Sequence, residues 1–347
     1  MSRTQLLARL AATRAAPPLL ALLLALAITA LLIGVAGGSP GAALAALLSG
    51  AFGSADAWSE VGVRTCPLLL TGLAVAVAFR AGIWNIGAEG QLLIGAVAVA
   101  WLGTHVGDWS GWLAVPLILC AAALGGAGWA GIAGALRTTR GVDEVISTIM
   151  LNFIALGLVG WLVHGPLMEA AATYPQSDAV GVAARLPRLF NGYRVHGGLL
   201  LAVAAAAGVA MLLFRTVLGF EMRAVGLSPQ AARLAGLRTD GALLRALALS
   251  GALAGLAGGI EVSAITYRLY DRFSPGYGFT AIAVALLGRL HPLGVVLAAV
   301  FFAALDVGSL AMQRVAGVSS VLVSAVQAIV IFTLLGLDRW QRRRAMT

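Results

Sequence analysis

The sequence predicts an all-α polytopic membrane protein, a transmembrane bundle of about ten helices. Three observations carry that prediction. Hydrophobic residues make up 60% of the 347 and charged residues only 11%, whereas a soluble domain carries about a quarter. Mean hydropathy is +0.95. The charges present are gathered into short clusters between long charge-free runs. The runs are solid rather than alternating in segments of about ten residues, which argues against a membrane β-barrel.

Taken in order, residues 15–55 hold no Asp, Glu, Lys or Arg, and further charge-free windows cover 109–136, 145–168, 195–214 and 315–337. Each exceeds the ~18–20 apolar residues that span a bilayer. Shorter windows at 65–79, 90–107, 246–260, 273–288 and 290–305 reach spanning length if one terminal polar side chain snorkels or lines the interior. The expected count is about ten, within a range of eight to ten. Arg3, Arg9 and Arg14 precede Pro17-Pro18 and an apolar run to Ala36. That run is longer than the ~7–15-residue core of a cleaved signal, so 15–36 is expected to be a retained first span.

Arginines orient these spans. With the N-terminus in the cytoplasm and ten crossings, sixteen Arg fall inside and seven outside, as the positive-inside rule requires. Both termini are expected in the cytoplasm and the chain in a bacterial cytoplasmic (inner) membrane. The net charge of +9 then reflects orientation in the lipid bilayer and calls for no nucleic-acid partner. Trp84, Trp101, Trp109, Trp112, Trp161 and Trp340 lie near expected interfaces, where aromatic side chains anchor.

All 23 basic residues are Arg. Without lysine there is no Walker A loop and no Schiff base, so ATP hydrolysis is expected on another chain. His105, His164, His196 and His291 are scattered and Cys66 and Cys120 far apart. Neither set has metal-ligand spacing, and the cysteines read as small hydrophobes in apolar windows. No catalytic constellation appears; no enzyme activity, metal or cofactor is expected.

The whole chain, 1–347, reads as a single transmembrane domain. It divides into the first span (15–36), a first repeat (66–163), an external loop (164–197), a cytoplasmic loop (215–245) and a second repeat (242–337). In the cytoplasmic loop, Ser228-Pro229 starts a helix, Ser as cap and Pro at the first position. Two turns over 230–237 are expected before Thr239-Asp240-Gly241 ends them. Ala231, Ala232, Ala235 and Gly236 form a small-residue surface that either meets another protein or lies on the membrane. NIGAEGQLLIGAVAVA from Asn85 and VALLGRLHPLGVVLAAVFFAAL from Val284 each break a span at Gly-rich, polar backbone. Such paired breaks are the expected trace of two inverted repeats. Glycines at 125, 126, 128, 131 and 134, and at 251, 255, 258 and 259, supply close-packing faces.

The stretch FRAGIWNIGAEGQLLIGA, residues 79–96, holds the candidate translocation-path or helix-break residues Asn85, Gly87, Glu89, Gly90 and Gln91. Gly82, Asn85, Gly87 and Gly90 interrupt the helix, and Glu89 enters the first turn of the next span. There the dipole favours a carboxylate. Glu89 is either such a cap, with Arg80 as partner, or a gating or cargo contact. Asn152 is either interhelical glue or another path residue. Asp143-Glu144 either caps its span or meets an ATPase.

GIWNIGAEGQLLIGA resembles the signature of ABC-importer permeases of the branched-chain amino acid, ribose and simple-sugar superfamily, in the form of the nucleoside-type uptake permeases. DEVISTIMLNFIA (143–155), AVGLSPQAARLAGL (224–237) and TAIAVALLGRLHPLG (280–294) follow in matching order, and the likeness covers most of 66–310. It implies a transport subunit with no catalysis of its own. Its implied partners are a second permease, in a heterodimer or homodimer, an ABC ATP-binding subunit, and an extracytoplasmic solute-binding protein. Gly226, Ser228, Pro229, Gln230, Ala231, Ala232 and Gly236 fall on the motif of the coupling helix that docks in the ATPase. Gln230 replaces the family's acidic residue there. A bulky residue at Gly236 is expected to uncouple hydrolysis from uptake. Nucleosides are the implied cargo, with simple sugars such as ribose and branched-chain amino acids as alternatives. A reading from another class, an ion-coupled secondary transporter, would need Glu89, Glu261 and Asp306 as an ion relay.

Overall fold

The computed structural model describes residues 27–28, 30–31, 33–34, 39–107 and 109–317. Among them regular structure is helical, apart from two isolated bridges, Gln176 with Tyr270 and Arg188 with His196. The helices are α1 (Pro40–Phe52), α2 (Ala55–Arg80), α3 (Ala88–Gly103), α4 (Gly111–Arg140), α5 (Glu144–Val163) and α6 (Gly198–Arg215). They continue with α7 (Val217–Leu227), α8 (Pro229–Leu234), α9 (Thr239–Glu261), α10 (Tyr277–Leu287) and α11 (Pro292–Ala316). A π-helical turn, Val262–Thr266, extends α9.

Among the described residues, six helices are long and apolar enough to cross a membrane: α2, α4, α5, α6, α9 with its π turn, and α11; α1, α3 and α10 are shorter apolar helices. The expected first span, 15–36, is described at only six positions, and the expected last span, 315–337, lies almost wholly outside the described residues. The window 273–288 does not form a span. Its helix is only 11 residues long, because Ser274-Pro275-Gly276 resists helix and Gly276 takes φ +97°, open to glycine alone at little strain.

The chain forms two compact units, 1–61 with 301–347, and 62–300. In the first, Gly50 of α1 lies against Gly308 and Ala311 of α11, and Ala43 and Ala46 pack with Leu305 and Met312. In the second, α9 packs closely on α3 and α4. A methyl group on Gly126 would overlap Gly251 O, one on Gly95 would overlap Gly255 O, and one on Gly258 would overlap Leu92 O. These glycines bring backbones together where hydrophobic sorting between helices is weak in lipid. Gly128 and Gly131, expected in the same face, have open space around them and do not join it.

The 215–245 stretch is mostly helical rather than a loop around one short helix. Thr216 makes the corner: its hydroxyl donates to Leu212 O (2.7 Å) and accepts from Gly219 N (3.1 Å). Gly219, Met222 and Val225 then bury one face of α7 at helical spacing. Thr239-Asp240-Gly241 does not end α8 but forms the first turn of α9. The terminator is Gly236 at φ +82°, the left-handed residue that commonly closes a helix.

Candidate functional site: the helix break and the segment 226–236

Helix α2 stops where Gly82 adopts φ +78°. Ile83 N donates to Ala78 O and Gly82 N to Phe79 O, the double bond of a Schellman ending. Residues 83–87 are non-helical, and α3 restarts at Ala88 with Gly87 as cap. Gly90 therefore lies inside α3, not in the interruption.

Asn85, Glu89 and Gln91 at this break, and Thr148, Asn152 and Ser250 packed on it, are buried, where an unpaired donor or acceptor would be costly. Asn85 and Gln91 pair amide to amide, with both Nδ2–Oε1 and Nε2–Oδ1 at 3.0 Å. Asn85 Oδ1 also accepts from Gly87 N (2.9 Å), and its Nδ2 donates to Ser250 Oγ (2.8 Å). The Ser250 hydroxyl passes its own proton to Ala74 O (2.7 Å). From α5, Asn152 Oδ1 accepts from Gly90 N (2.8 Å) and Nδ2 donates to Ile86 O (2.9 Å). Thr148 Oγ1 accepts from Ile86 N at 3.3 Å. Gly87 and Gly90 have no space to spare: a Cβ on Gly90 would sit 3.0 Å from Asn152 Oδ1.

The structure thus gathers Asn85, Gly87, Gln91 and Asn152 into one network, with Gly90 and Glu89 beside it. Their polar atoms are matched within the protein. Sequence reasoning missed Ser250 and Thr148. Ser250 is a hydroxyl isolated in an apolar Gly/Ala run, and Thr148 is four residues before Asn152 on the same helical face; both signals were available.

Arg80 is not the partner of Glu89. Arg80 Nε donates to Leu290 O (2.6 Å), and its guanidinium lies 5.1 Å from the Phe214 ring centroid. Glu89 instead reaches the start of α10. Its Oε2 accepts from Gly278 N (2.7 Å) and its carboxylate also bonds Ser274. Two helix N-termini meet here, since a Cβ on Gly278 would overlap Glu89 N, and one carboxylate answers the positive ends of both. Asp143 caps α5 through Val145 N (2.8 Å), while Glu144 turns inward to Arg137 (3.1 Å) and Trp84 N (3.5 Å).

In the segment 226–236, Ser228 caps α8 by accepting from Ala231 N (3.2 Å), with Pro229 at the first position. Pro229, Gln230, Ala231 and Gly236 are exposed. Ala232 is not: it packs inward on Val225 and Ala242. Gly226 also faces inward, against the backbone of Arg80 and Ala81. Large apolar residues take the outer side instead, Leu227 at 88% exposure and Leu234 at 93%. Sequence reasoning, intent on small residues, missed both. Between the break and α8 lies a cavity of about 330 Å³, lined by Gly82, Ile83, Arg137, Glu144, Pro229 and Arg233, among others.

Comparison with known proteins places this geometry. Residues 57–335 match the family described as branched-chain amino acid transport system / permease component. The chain belongs to that family. This permease is 41% identical to a glucose ABC transporter permease protein of Haloferax volcanii, over 82% of its own length and 78% of the relative's. It is 38% identical to a guanosine ABC transporter permease protein of Bacillus subtilis, over 90% and 91%. With a nucleoside ABC transporter permease protein of Lactococcus lactis subsp. cremoris it shares 33%, over 82% and 81%. The permease is accordingly a transport component of an ABC transporter.

Proposed function

We propose that this permease forms half of an ATP-driven nucleoside importer in a bacterial cytoplasmic membrane, working with a second permease, two ATP-binding subunits and an external solute-binding protein. The observation that carries the cargo reading is the guanosine relative, matched over nine-tenths of both chains. An uncharged cargo also suits a break whose buried polar groups are amides and hydroxyls paired with one another. A second reading, simple sugars, is favoured by the glucose relative at 41% identity.

In the mechanism, the α7–α8 segment is cytoplasmic and α8 is the coupling helix. Leu227 and Leu234, with Pro229 and Ala231, fill a groove on the ATPase; ATP-driven closure moves them together. Gly226 passes that movement to Arg80 and Ala81, at the end of α2, because the two backbones touch. The Asn85–Gln91–Ser250 and Asn152 bonds keep the break a defined hinge rather than a frayed loop, so displacement reaches α3. The break between α2 and α3 falls in the first repeat, 66–163, and that between α10 and α11 in the second, 242–337, as the inverted-repeat reading expects. Gly236 supports the motion by fixing the end of α8. Its surroundings are open, so a substitution there acts through its left-handed φ rather than through a clash.

The test is uptake into proteoliposomes holding the complete transporter, with labelled guanosine, glucose and leucine presented on the solute-binding protein. ATP-dependent accumulation of guanosine alone is the expected result. Accumulation of glucose or leucine instead would replace the cargo, and accumulation driven by an ion gradient without ATP would replace the mechanism.

A further inference from the structure

The segment between the π turn and α10, residues 267–276, is irregular throughout. It enters by way of Val262–Thr266, a π turn of the kind that gathers at functional sites. Tyr267 at φ +56°, Arg272 at +54° and Gly276 at +97° all lie in the left-handed region. For Tyr and Arg that conformation is strained, and it persists only where surroundings enforce it. Irregular backbone at membrane depth is tolerated when protein buries it or when it lines a water-filled path.

Two carboxylates from elsewhere in the chain enforce it. At one end Glu169, in the expected external loop, binds Arg268 Nη1 (2.8 Å) and accepts from Gln176 Nε2 (2.7 Å) and Tyr174 N (3.1 Å). Around this pair the loop and the segment run together. Ser177 N donates to Leu269 O (2.7 Å), Leu269 N to Ser177 Oγ (3.0 Å) and Val180 N to Tyr267 O (2.9 Å). At the other end Glu89 holds Ser274 and Gly278 N. Glu89 stands at the start of α3, directly after the break whose other side touches Gly226.

We infer that residues 267–276 form a strap that gates the external end of the pathway, latched by Glu169 on Arg268 and worked from the cytoplasmic side through Glu89. The inference rests on the transporter reading above. Contacts run without interruption from Gly226 to Arg80, across the break to Glu89, into Gly278 and along the strap to Arg268. Motion of α3 withdraws the Glu89 carboxylate from the start of α10, and the strap then parts from the external loop to admit cargo.

Gln176 and Tyr270 face each other as a bridge pair, with the Cα separation of about 4.5–5.5 Å that suits a disulfide. The test places Gln176→Cys and Tyr270→Cys in a chain carrying Cys66→Ala and Cys120→Ala, within the complete reconstituted transporter. Copper phenanthroline then closes the pair and dithiothreitol reopens it. Expected is a loss of uptake of at least about tenfold on oxidation, recovered in the same sample on reduction. Equal uptake in both states, or paired thiols that fail to cross-link, would overturn the inference. The cargo is whichever of guanosine, glucose or leucine the unsubstituted transporter accumulates. A wrong cargo assignment therefore shows in that control, not in the contrast between oxidised and reduced protein.

Discussion

Gly226 lies so close to Arg80 that a methyl group on the glycine would overlap the arginine carbonyl oxygen. The two residues belong to different segments: one lies in α7, just before α8, and the other ends α2. Their contact is backbone to backbone, which leaves no side chain to yield. A rigid contact of this kind transmits displacement, and it makes the position sensitive to a single carbon.

Gly226→Ala is therefore expected to force the two segments apart, at about 1–3 kcal/mol of overpacking, and to break the transmission proposed above. In proteoliposomes, uptake per ATP hydrolysed should fall about tenfold, a change worth about 1.4 kcal/mol. If uptake and hydrolysis fell in proportion, the glycine would serve stability only.

The buried break supplies a stability prediction. Asn152→Ala removes the acceptor for Gly90 N and the donor to Ile86 O in one step. Each of the two groups left unpaired in the interior costs about 1–3 kcal/mol, so a loss of about 2–6 kcal/mol is expected. Unfolding of the purified chain in mixed micelles measures it. A change below about 0.5 kcal/mol, the range of an ordinary surface substitution, would mean that the network does not hold the break.

How far the sequence could foresee this arrangement depends on the range of the interaction. Charge-free windows located α4, α5 and α6, because a span is a local property of composition. They misjudged α10, since Ser274, Pro275 and Gly276 carry no charge and leave the window looking continuous. The caps at Asp143 and Ser228 were legible, being bonds across two or three residues. One of the two readings of Glu89 gives it Arg80, on the preceding helix, as partner, and the structure gives it Gly278, 189 residues away. No spacing rule in a single chain reveals such a partner. Small residues at 231, 232, 235 and 236 suggested one docking face, but helical rotation turns Ala232 inward and leaves Leu227 and Leu234 outermost.

Those two leucines give a prediction at the surface. Leu234 is 93% exposed, so Leu234→Ser should change the stability of the isolated chain by no more than about 0.5 kcal/mol. As an apolar anchor for the ATP-binding subunit it should matter more. Co-purification of the two subunits is expected to weaken about tenfold or more, the range of a central interface residue. Undiminished co-purification would place the docking contact elsewhere on the chain.

The last prediction concerns pH. His196 precedes α6 with its ring buried; Nδ1 accepts from Gly198 N (3.2 Å), so the neutral ring carries its proton on Nε2, for which no described residue provides an acceptor. Burial, and then the charge of Arg194, lower its pKa from 6.5 to about 4. The folded chain therefore binds fewer protons than the unfolded chain between those values. Where the unfolded state binds more protons, stability rises with pH. The contribution of His196 is complete above about 6.5 and is lost progressively as pH falls toward 4. Melting temperatures of the solubilised chain should fall as pH is lowered from 7.5 to 4.5. In His196→Asn, whose side-chain oxygen can still accept from Gly198 N, that part of the slope should vanish while the value at neutral pH changes little. An unaltered slope in the variant would assign the acid sensitivity to the carboxylates instead.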